Sequence, residues 1–207
     1  MVEEMAINKV LIIGVGGVGS WIAEFLARAT ATMKIDLTLM DFDEVEEKNL
    51  LYSNFKVLDI LHKRKKVEAL LEKFAEIQTR KLQGGEKHIL TKKFESPYDL
   101  ESWIFQNGLV VIATDEFITR QLVHETCENW IDVRAEGQYY QIFTNKTPKN
   151  IIDEFTNGEN PEKRASCQLD PWIRVDMANI VCAAQATQII LSMIRGEEFQ
   201  TQIFGRI

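Results

Sequence analysis

Residues 9–20 read KVLIIGVGGVGS, and this stretch decides the fold of the chain. Its first part, Val10 to Ile13, is a short apolar run of the kind that forms a strand buried on both faces. Large apolar residues follow the glycines at positions 21, 22, 25 and 26, which is helical spacing. The stretch therefore predicts a strand, a glycine turn and a helix in succession.

The glycines between the predicted strand and helix have the spacing of a phosphate-binding turn. Gly14 allows a tight turn, Gly16 allows the backbone to approach a phosphate, and Gly19 allows the helix to pack closely on the strand. The N–H groups of the first helical turn and the helix dipole attract an anion. The pattern alone is a weak signal, which its position between a strand and a helix strengthens. It does not distinguish ATP from NAD, and a glycine turn without a ligand is the other interpretation.

Length and composition predict a single domain, which takes in the whole chain, residues 1–207. A hydrophobic fraction of 45% and a charged fraction of 27% are ordinary for a globular protein of this size. The net charge of −7 argues against nucleic-acid binding over a broad surface. No apolar run approaches the ~18 residues of a membrane span, and the acidic start is unlike a secretory signal. The expected location is therefore the cytoplasm.

Strands and helices alternate through the first two thirds of the chain. This order predicts parallel βαβ winding, with helices on both faces of the sheet. Ligands of such sheets bind beyond the carboxyl ends of the strands, where the glycine turn, Asp41, Asp43 and Asp115 are expected to line one crevice. Strands are predicted at 34–40, 88–91 and 109–113, helices at 65–77, 98–105 and 117–127, and a loop at 44–62.

The second half of the chain has a different character, with antiparallel strands and a long C-terminal helix. Residues 145–170 are predicted to form a mobile crossover loop, because their first part is polar and contains Pro148, Gly158 and Pro161. The predicted strands are 131–134, 138–144 and 203–204, and the long helix is 176–194.

Five motifs occur in a fixed order along the chain. They are GxGGxGS at 14–20, DxDxV at 41–45, Asn49-Leu50, a lysine at the start of the following helix, and Thr114-Asp115. Together, over residues 8–195, they resemble the ThiF/MoeB/HesA family, whose adenylating fold is shared with ubiquitin-activating enzymes. The combination is specific, although no single motif is. The resemblance implies a Rossmann-like, mostly parallel sheet and ATP-dependent adenylation of the C-terminal carboxylate of a protein.

The resemblance also implies a role for each matching residue, with ATP and Mg²⁺ as cofactors. Asp41 would accept hydrogen bonds from the ribose, Asn49 would contact the phosphates, and Asp115 would hold Mg²⁺. Asp41 as a solvated strand end and Asp115 as a helix cap are the structural alternatives. The residues implied to bind the nucleotide are Gly14, Gly16, Gly17, Gly19, Ser20, Asp41, Asp43 and Asn49.

Three further positions are candidates for catalysis. The phosphate-neutralising lysine is either Lys65, which the spacing from Asn49 favours, or Lys66, which the local Lys-Val-Glu match favours. Arg120 matches a recurrent arginine on the helix after Asp115. Cys167 lies where some family members carry a cysteine that receives the activated acyl group, and a cysteine without a covalent role is the alternative.

One position departs from the family pattern. Three residues after Asn49 the family normally has an arginine, and this chain has Tyr52, which offers a hydrogen bond but no positive charge. The leading hypothesis is an adenylating enzyme for a ubiquitin-like or sulfur-carrier-like protein with a Gly-Gly C-terminus, working as a homodimer or heterodimer. The second is a catalytically weak partner subunit of a heterodimeric activating enzyme. The third is an NAD-dependent oxidoreductase.

Overall fold

A seven-stranded sheet runs through the computed structural model of the chain, which describes residues 7–77, 85–100, 108–157 and 177–207. The apolar run at the start of the chain forms the first strand, as predicted. The strands are β1 Lys9–Ile13, β2 Asp36–Met40, β3 Lys87–Leu90, β4 Gly108–Ile112, β5 Trp130–Glu136, β6 Tyr139–Thr144 and β7 Gln202–Arg206.

The sheet combines a parallel part with an antiparallel part, as the sequence predicts. Its order is β3-β2-β1-β4-β5-β6-β7. The first five strands in this order pair in parallel, and β6 and β7 continue the sheet in antiparallel register. Since β1 lies between β2 and β4, the carboxyl ends of these three strands meet at one edge. We call this edge the carboxyl edge.

Helices cover both faces of the sheet. They are α1 Gly17–Ala29, α2 Val57–Leu61, α3 Lys66–Ile77, α4 Phe117–Thr126, α5 Lys149–Asn157 and α6 Ala178–Arg195, with 3-10 helices at Glu47–Leu51 and Pro97–Leu100. Alternate residues of β1 point to opposite faces. Val10 and Ile12 join the core under α1, α3 and α6, whereas Leu11 and Ile13 join a smaller core under α4 and α5.

Two segments that the sequence predicts as loops contain helices. Residues 44–62 include a 3-10 helix and α2, which the side chains of Asn49 and Asp59 cap by accepting N–H groups of the backbone. Residues 145–170, the predicted crossover loop, include α5, whose Ile151, Ile152 and Phe155 pack on the smaller core. The 3-10 helix and α2 have only five residues each, which is too short for a clear hydrophobic period. Helix α5 does have its apolar residues at helical spacing, a signal that the loop prediction overlooked. Residues 158–170 lie outside the described residues.

The remaining elements agree with the prediction to within two residues, apart from the helix predicted at 98–105. That region begins with a 3-10 helix, Pro97–Leu100, and continues into residues outside the described ranges. None of the helices that the structure describes is long and apolar enough to span a membrane.

Candidate active site

The glycine turn joins β1 to α1 at the carboxyl edge. Gly14 has φ +82°, which favours glycine, and its N–H donates to the Met40 carbonyl at the end of β2. A Cβ at Gly19 would overlap the carbonyl oxygen of Gly14, so only glycine lets α1 approach β1 this closely. A Cβ at Gly16 would meet nothing within 4 Å. The turn therefore has the close packing and the open space that its spacing predicts.

Helix α1 begins at this open space with its first N–H groups uncapped. Gly16 is the N-cap residue, and it has no side chain with which to cap the helix. The first turn carries no acidic residue. N–H groups in this position, together with the positive end of the helix dipole, attract an anion such as a phosphate.

Asp41 ties the end of β2 to the glycine turn. Its Oδ2 accepts the N–H of Val15 at 2.9 Å, and its Oδ1 accepts the N–H of Asp43 at 2.9 Å. Burial raises the pKa of the Asp41 carboxyl, although the nearby Lys66 ammonium and these two hydrogen bonds offset part of the rise. Asp41 is therefore a buried carboxylate at the floor of the crevice, where the resemblance expects the ribose.

The two candidate lysines occupy different environments. Lys66 is buried, and its Nζ lies 2.7 Å from Oδ2 of Asp43. Lys65 is half-exposed, and its Nζ donates to the carbonyl of Phe42 at 3.0 Å and lies 3.4 Å from a carboxylate oxygen of Glu44. The structure thus places Lys66, rather than Lys65, in the corner formed by the two aspartates after β2.

Asn49 and Ser20 both bind protein groups. The Oδ1 atom of Asn49 accepts the N–H of Glu46 at 2.8 Å, and its Nδ2 lies 3.4 Å from the hydroxyl of Tyr52. The Ser20 hydroxyl accepts the N–H of Asn54 at 3.0 Å. The contacts of Asn49 stay within the segment between β2 and α3, whereas the contact of Ser20 anchors that segment onto α1.

Asp115 and Arg120 follow β4 but point in different directions. Asp115 is exposed at the carboxyl edge. Arg120 is buried, donates to the carbonyl of Thr114, and has its Nε 3.5 Å from Oδ1 of Asp132. Arg120 therefore holds the turn that carries Asp115, with its guanidinium group beside Asp132 of β5.

A buried ion cluster around Asp132 lies beneath this side of the site, and the sequence reasoning missed it. Arg134 donates to Oδ2 of Asp132 at 2.8 Å and to the carbonyl of Phe155 in α5 at 3.3 Å. His124 stacks on Trp130 and lies 3.4 Å from Oδ2 of Asp132. The available signal was the pair of charged residues, two positions apart, within an otherwise apolar strand.

The charges of this cluster determine the protonation of Asp132. The carboxyl group is fully buried, which by itself would raise its pKa, but the guanidinium groups of Arg120 and Arg134 hold the pKa well below its usual range. Asp132 is thus an ionised carboxylate that balances the charges of the buried Arg120 and the partly buried Arg134.

Two of the three cysteines lie within the described residues, and both are buried. Burial raises the pKa of Cys182 to about 12 and also raises the pKa of Cys127, so both stay as unreactive thiols near neutral pH. Cys167, the candidate acyl acceptor, lies outside the described residues.

The residues at the carboxyl edge fit a nucleotide and one divalent cation. The open space at Gly16, the uncapped start of α1 and the Lys66 ammonium suit a phosphate chain. Among the described residues there is no group of three or more side chains that could hold a metal. Mg²⁺ commonly binds through one or two carboxylates together with substrate phosphates, and the exposed Asp115 can supply one.

Comparison with known proteins identifies the class of this chain. The model of the ThiF family matches residues 2–204, so the chain belongs to the ThiF family. None of the functionally curated proteins matches the sequence significantly.

Solved structures with this fold include the proteins MccB and PaaA. E. coli MccB solved with ATP superposes with a TM-score of 0.69 at 18% identity, covering 97% of this chain and 60% of that one. A second MccB structure, solved with MccA-N7isoASN, gives a TM-score of 0.71 at 16% identity, covering 98% and 62%. PaaA gives 0.68 at 19% identity, also covering 98% and 62%. The chain therefore shares their fold and spans about three fifths of their length.

Proposed function

We propose that this chain is an ATP-dependent adenylating enzyme that activates the C-terminal carboxylate of a ubiquitin-like or sulfur-carrier-like protein. The observation that carries the proposal is the combination at the carboxyl edge of an uncapped helix start, open space at Gly16 and the buried Lys66 beside Asp41. Membership of the ThiF family and the ATP found with MccB support ATP as the nucleotide.

The proposed reaction joins two anions. An oxygen of the substrate carboxylate attacks the α-phosphorus of ATP, and the bond from that phosphorus to the bridging oxygen of the pyrophosphate breaks. The products are an acyl adenylate and pyrophosphate, which leaves with the electrons of the broken bond. Positive charge must therefore offset the repulsion between the approaching carboxylate and the phosphates, and it must stabilise the leaving pyrophosphate. Such charge stabilises the transition state most where water is excluded.

Each residue at the edge has a role in this scheme. The N–H groups at the start of α1 bind phosphate oxygens, and Lys66 neutralises charge on the leaving pyrophosphate. Asp41, through its hydrogen bonds to Val15 and Asp43, fixes the glycine turn and faces the ribose. Asp115 would hold Mg²⁺, which supplies Lewis-acid stabilisation of the phosphoryl oxygens when bound.

Pyrophosphate exchange tests the proposal. The protein is incubated with ATP, Mg²⁺, labelled pyrophosphate and candidate proteins that end in Gly-Gly and are encoded nearby. Substrate-dependent formation of labelled ATP is expected, and Asp115→Ala should abolish it. Binding of NADH without binding of ATP would contradict the proposal.

The two lysines provide a matched pair for the same assay. Lys66→Ala is expected to lower the exchange rate about 10²–10³-fold, the usual cost of one well-placed group in such a site. Lys65→Ala removes the same charge from the neighbouring, half-exposed position and should lower the rate less than tenfold. The reverse ranking would assign the phosphate contact to Lys65.

A catalytically weak partner subunit is the second candidate, which the environment of Tyr52 favours. The Tyr52 hydroxyl lies 3.4 Å from Nδ2 of Asn49, so a neutral group stands where the family pattern expects an arginine. This candidate predicts ATP binding without pyrophosphate exchange until a related subunit is added. Dimerisation itself remains a prediction, and a monomer at micromolar concentration in light scattering would contradict it.

Cys167 remains a prediction as the acyl acceptor. Its thiolate would attack the carbonyl carbon of the acyl adenylate, forming a thioester and releasing AMP. A thiol-sensitive conjugate with the substrate protein that disappears in Cys167→Ser is the expected result. Survival of the conjugate in that variant would rule the covalent role out.

A further inference from the structure

The C-terminal helix α6 reaches the same edge of the sheet as the glycine turn. Near its start, the thiol of Cys182 lies 3.8 Å from the carbonyl oxygen of Arg134, close to the end of β5. Ala178, Ala183 and Ala186 are buried on this helix, and their small side chains allow the close approach of α1. The first turns of α1 and α6 therefore lie next to each other.

The side chain of Asn179 lies against the first residue of α1. A Cβ at Gly17 would come within 3.1 Å of Nδ2 of Asn179 and within 3.4 Å of its Cγ and Oδ1. The whole amide group thus rests on the face of Gly17. The absence of a side chain at Gly17 makes room for this amide beside the uncapped N–H groups of α1.

This amide is available to a ligand. Asn179 is partly buried, and no residue in the described ranges forms a hydrogen bond with its side chain. Met177, the N-cap residue of α6, provides no side-chain cap, and the first turn of the helix carries no acidic residue. The start of α6 therefore adds its own positive potential to that of α1.

We infer that Asn179 donates a hydrogen bond from Nδ2 to the phosphate chain of the nucleotide and so acts as a binding residue of the proposed adenylation site. The inference rests on the proposed function, since it requires a nucleotide at the start of α1. The residue lies more than 150 positions after the glycine turn along the chain, and none of the motifs that indicate the site includes it. It supplies a neutral donor, unlike the charged Lys66.

Two substitutions at Asn179 separate ligand binding from folding. Asn179→Ala removes the donor and is expected to weaken ATP binding about ten- to hundredfold, the cost of one hydrogen bond to a charged group. Asn179→Asp should weaken it further, because it places a negative charge beside the phosphates. The same carboxylate in the first turn of a helix stabilises that helix, so the melting temperature should stay the same or rise.

The measurement is the dissociation constant of ATP and of adenosine, each titrated into wild type and variants by calorimetry. Both variants should lose affinity for ATP and keep the wild-type affinity for adenosine, which has no phosphate. Gln188→Ala is the matched control, because it removes an amide from the exposed face of the same helix. It should bind ATP as wild type does.

The possible outcomes separate this inference from the proposed function. Wild-type affinity for ATP in Asn179→Ala overturns the inference and leaves the proposed function intact. An equal loss of affinity for ATP and adenosine also overturns it, because the residue would then act through the shape of the site. Failure of the wild-type protein to bind ATP overturns the proposed function, and the inference with it.

Discussion

The two sides of the carboxyl edge are built in different ways. On the side of β1 and β2, the first N–H groups of α1 are uncapped beside an open space at Gly16, and Asp41 holds the glycine turn by accepting the N–H of Val15. On the side of β4 and β5, Arg120 and Arg134 lie beside the buried Asp132 and also donate to backbone carbonyls. The first side presents uncapped N–H groups to a ligand, whereas the second uses its charges to hold Asp132 and the neighbouring backbone.

This difference separates ligand binding from stability. Substitutions beside the open space should weaken ATP binding with little effect on the free energy of unfolding. Substitutions in the ion cluster around Asp132 should lower the free energy of unfolding with little effect on ATP binding.

The largest expected effect is that of Asp132→Asn. Removing one partner of a buried ion pair costs about 3–5 kcal/mol, because the opposite charges remain buried without compensation. Here the guanidinium groups of Arg120 and Arg134 would be left in that state. Urea denaturation at neutral pH should show the loss. The exposed Glu125→Gln is the control and should change stability by less than about 0.5 kcal/mol. A similar small change in Asp132→Asn would show that the cluster does not stabilise the fold.

The glycine turn provides a pair of substitutions with opposite expected effects. Gly19→Ala places a methyl group against the Gly14 carbonyl and should destabilise the protein by about 1–3 kcal/mol. Gly16→Ala meets no protein atom within 4 Å and should alter stability by about 1 kcal/mol or less, while lowering ATP affinity at least about tenfold. Equal ATP affinity in Gly16→Ala and wild type would mean that the open space does not hold the nucleotide.

The two buried aspartates should respond to pH with opposite signs. Asp132 has a lowered pKa in the folded protein. Its contribution to the free energy of unfolding is therefore fully present above its unfolded pKa of about 3.9 and is lost as the pH falls further. Asp41 has a raised pKa, so its contribution is present below that value and is lost as the pH rises through the folded pKa. Lowering the pH should therefore decrease the difference in the free energy of unfolding between wild type and Asp132→Asn. It should also raise the free energy of unfolding of wild type relative to that of Asp41→Asn. Urea denaturation of the three proteins between about pH 3 and 7 tests both signs, and parallel curves would contradict them.

The smallest expected effect concerns the thiols. Cys127 and Cys182 are buried with raised pKa values, so neither should react with a thiol reagent in the native protein at pH 7.5 within minutes. Any fast-reacting thiol should therefore disappear in Cys167→Ser. Two or three fast thiols would mean that the cores around α4 and α6 open readily.

The sequence predicts the backbone well on the side of β1 and β2, because that side depends on glycines and on strand ends. The conformation of Gly14 and the close packing at Gly19 follow from residue type and spacing, and both are confirmed. The parallel order of β1, β2 and β4 follows from the alternation of strands and helices.

The direction of each polar side chain could not be predicted in the same way. Arg120 follows the expected motif, yet its guanidinium group binds the Thr114 carbonyl and faces Asp132, which comes from a different strand. Asn49 and Ser20 likewise satisfy nearby N–H groups. Such choices depend on three-dimensional neighbours that motif spacing does not reveal.

The proposed function depends above all on binding of the phosphates of ATP at the start of α1. Titration of Mg·ATP and of NADH into the wild-type protein and Gly16→Ala, followed by calorimetry, tests it most directly. We expect saturable binding of ATP to wild type, weakened at least about tenfold in Gly16→Ala, with no binding of NADH. Binding of NADH alone, or ATP binding of equal strength in both proteins, would contradict it.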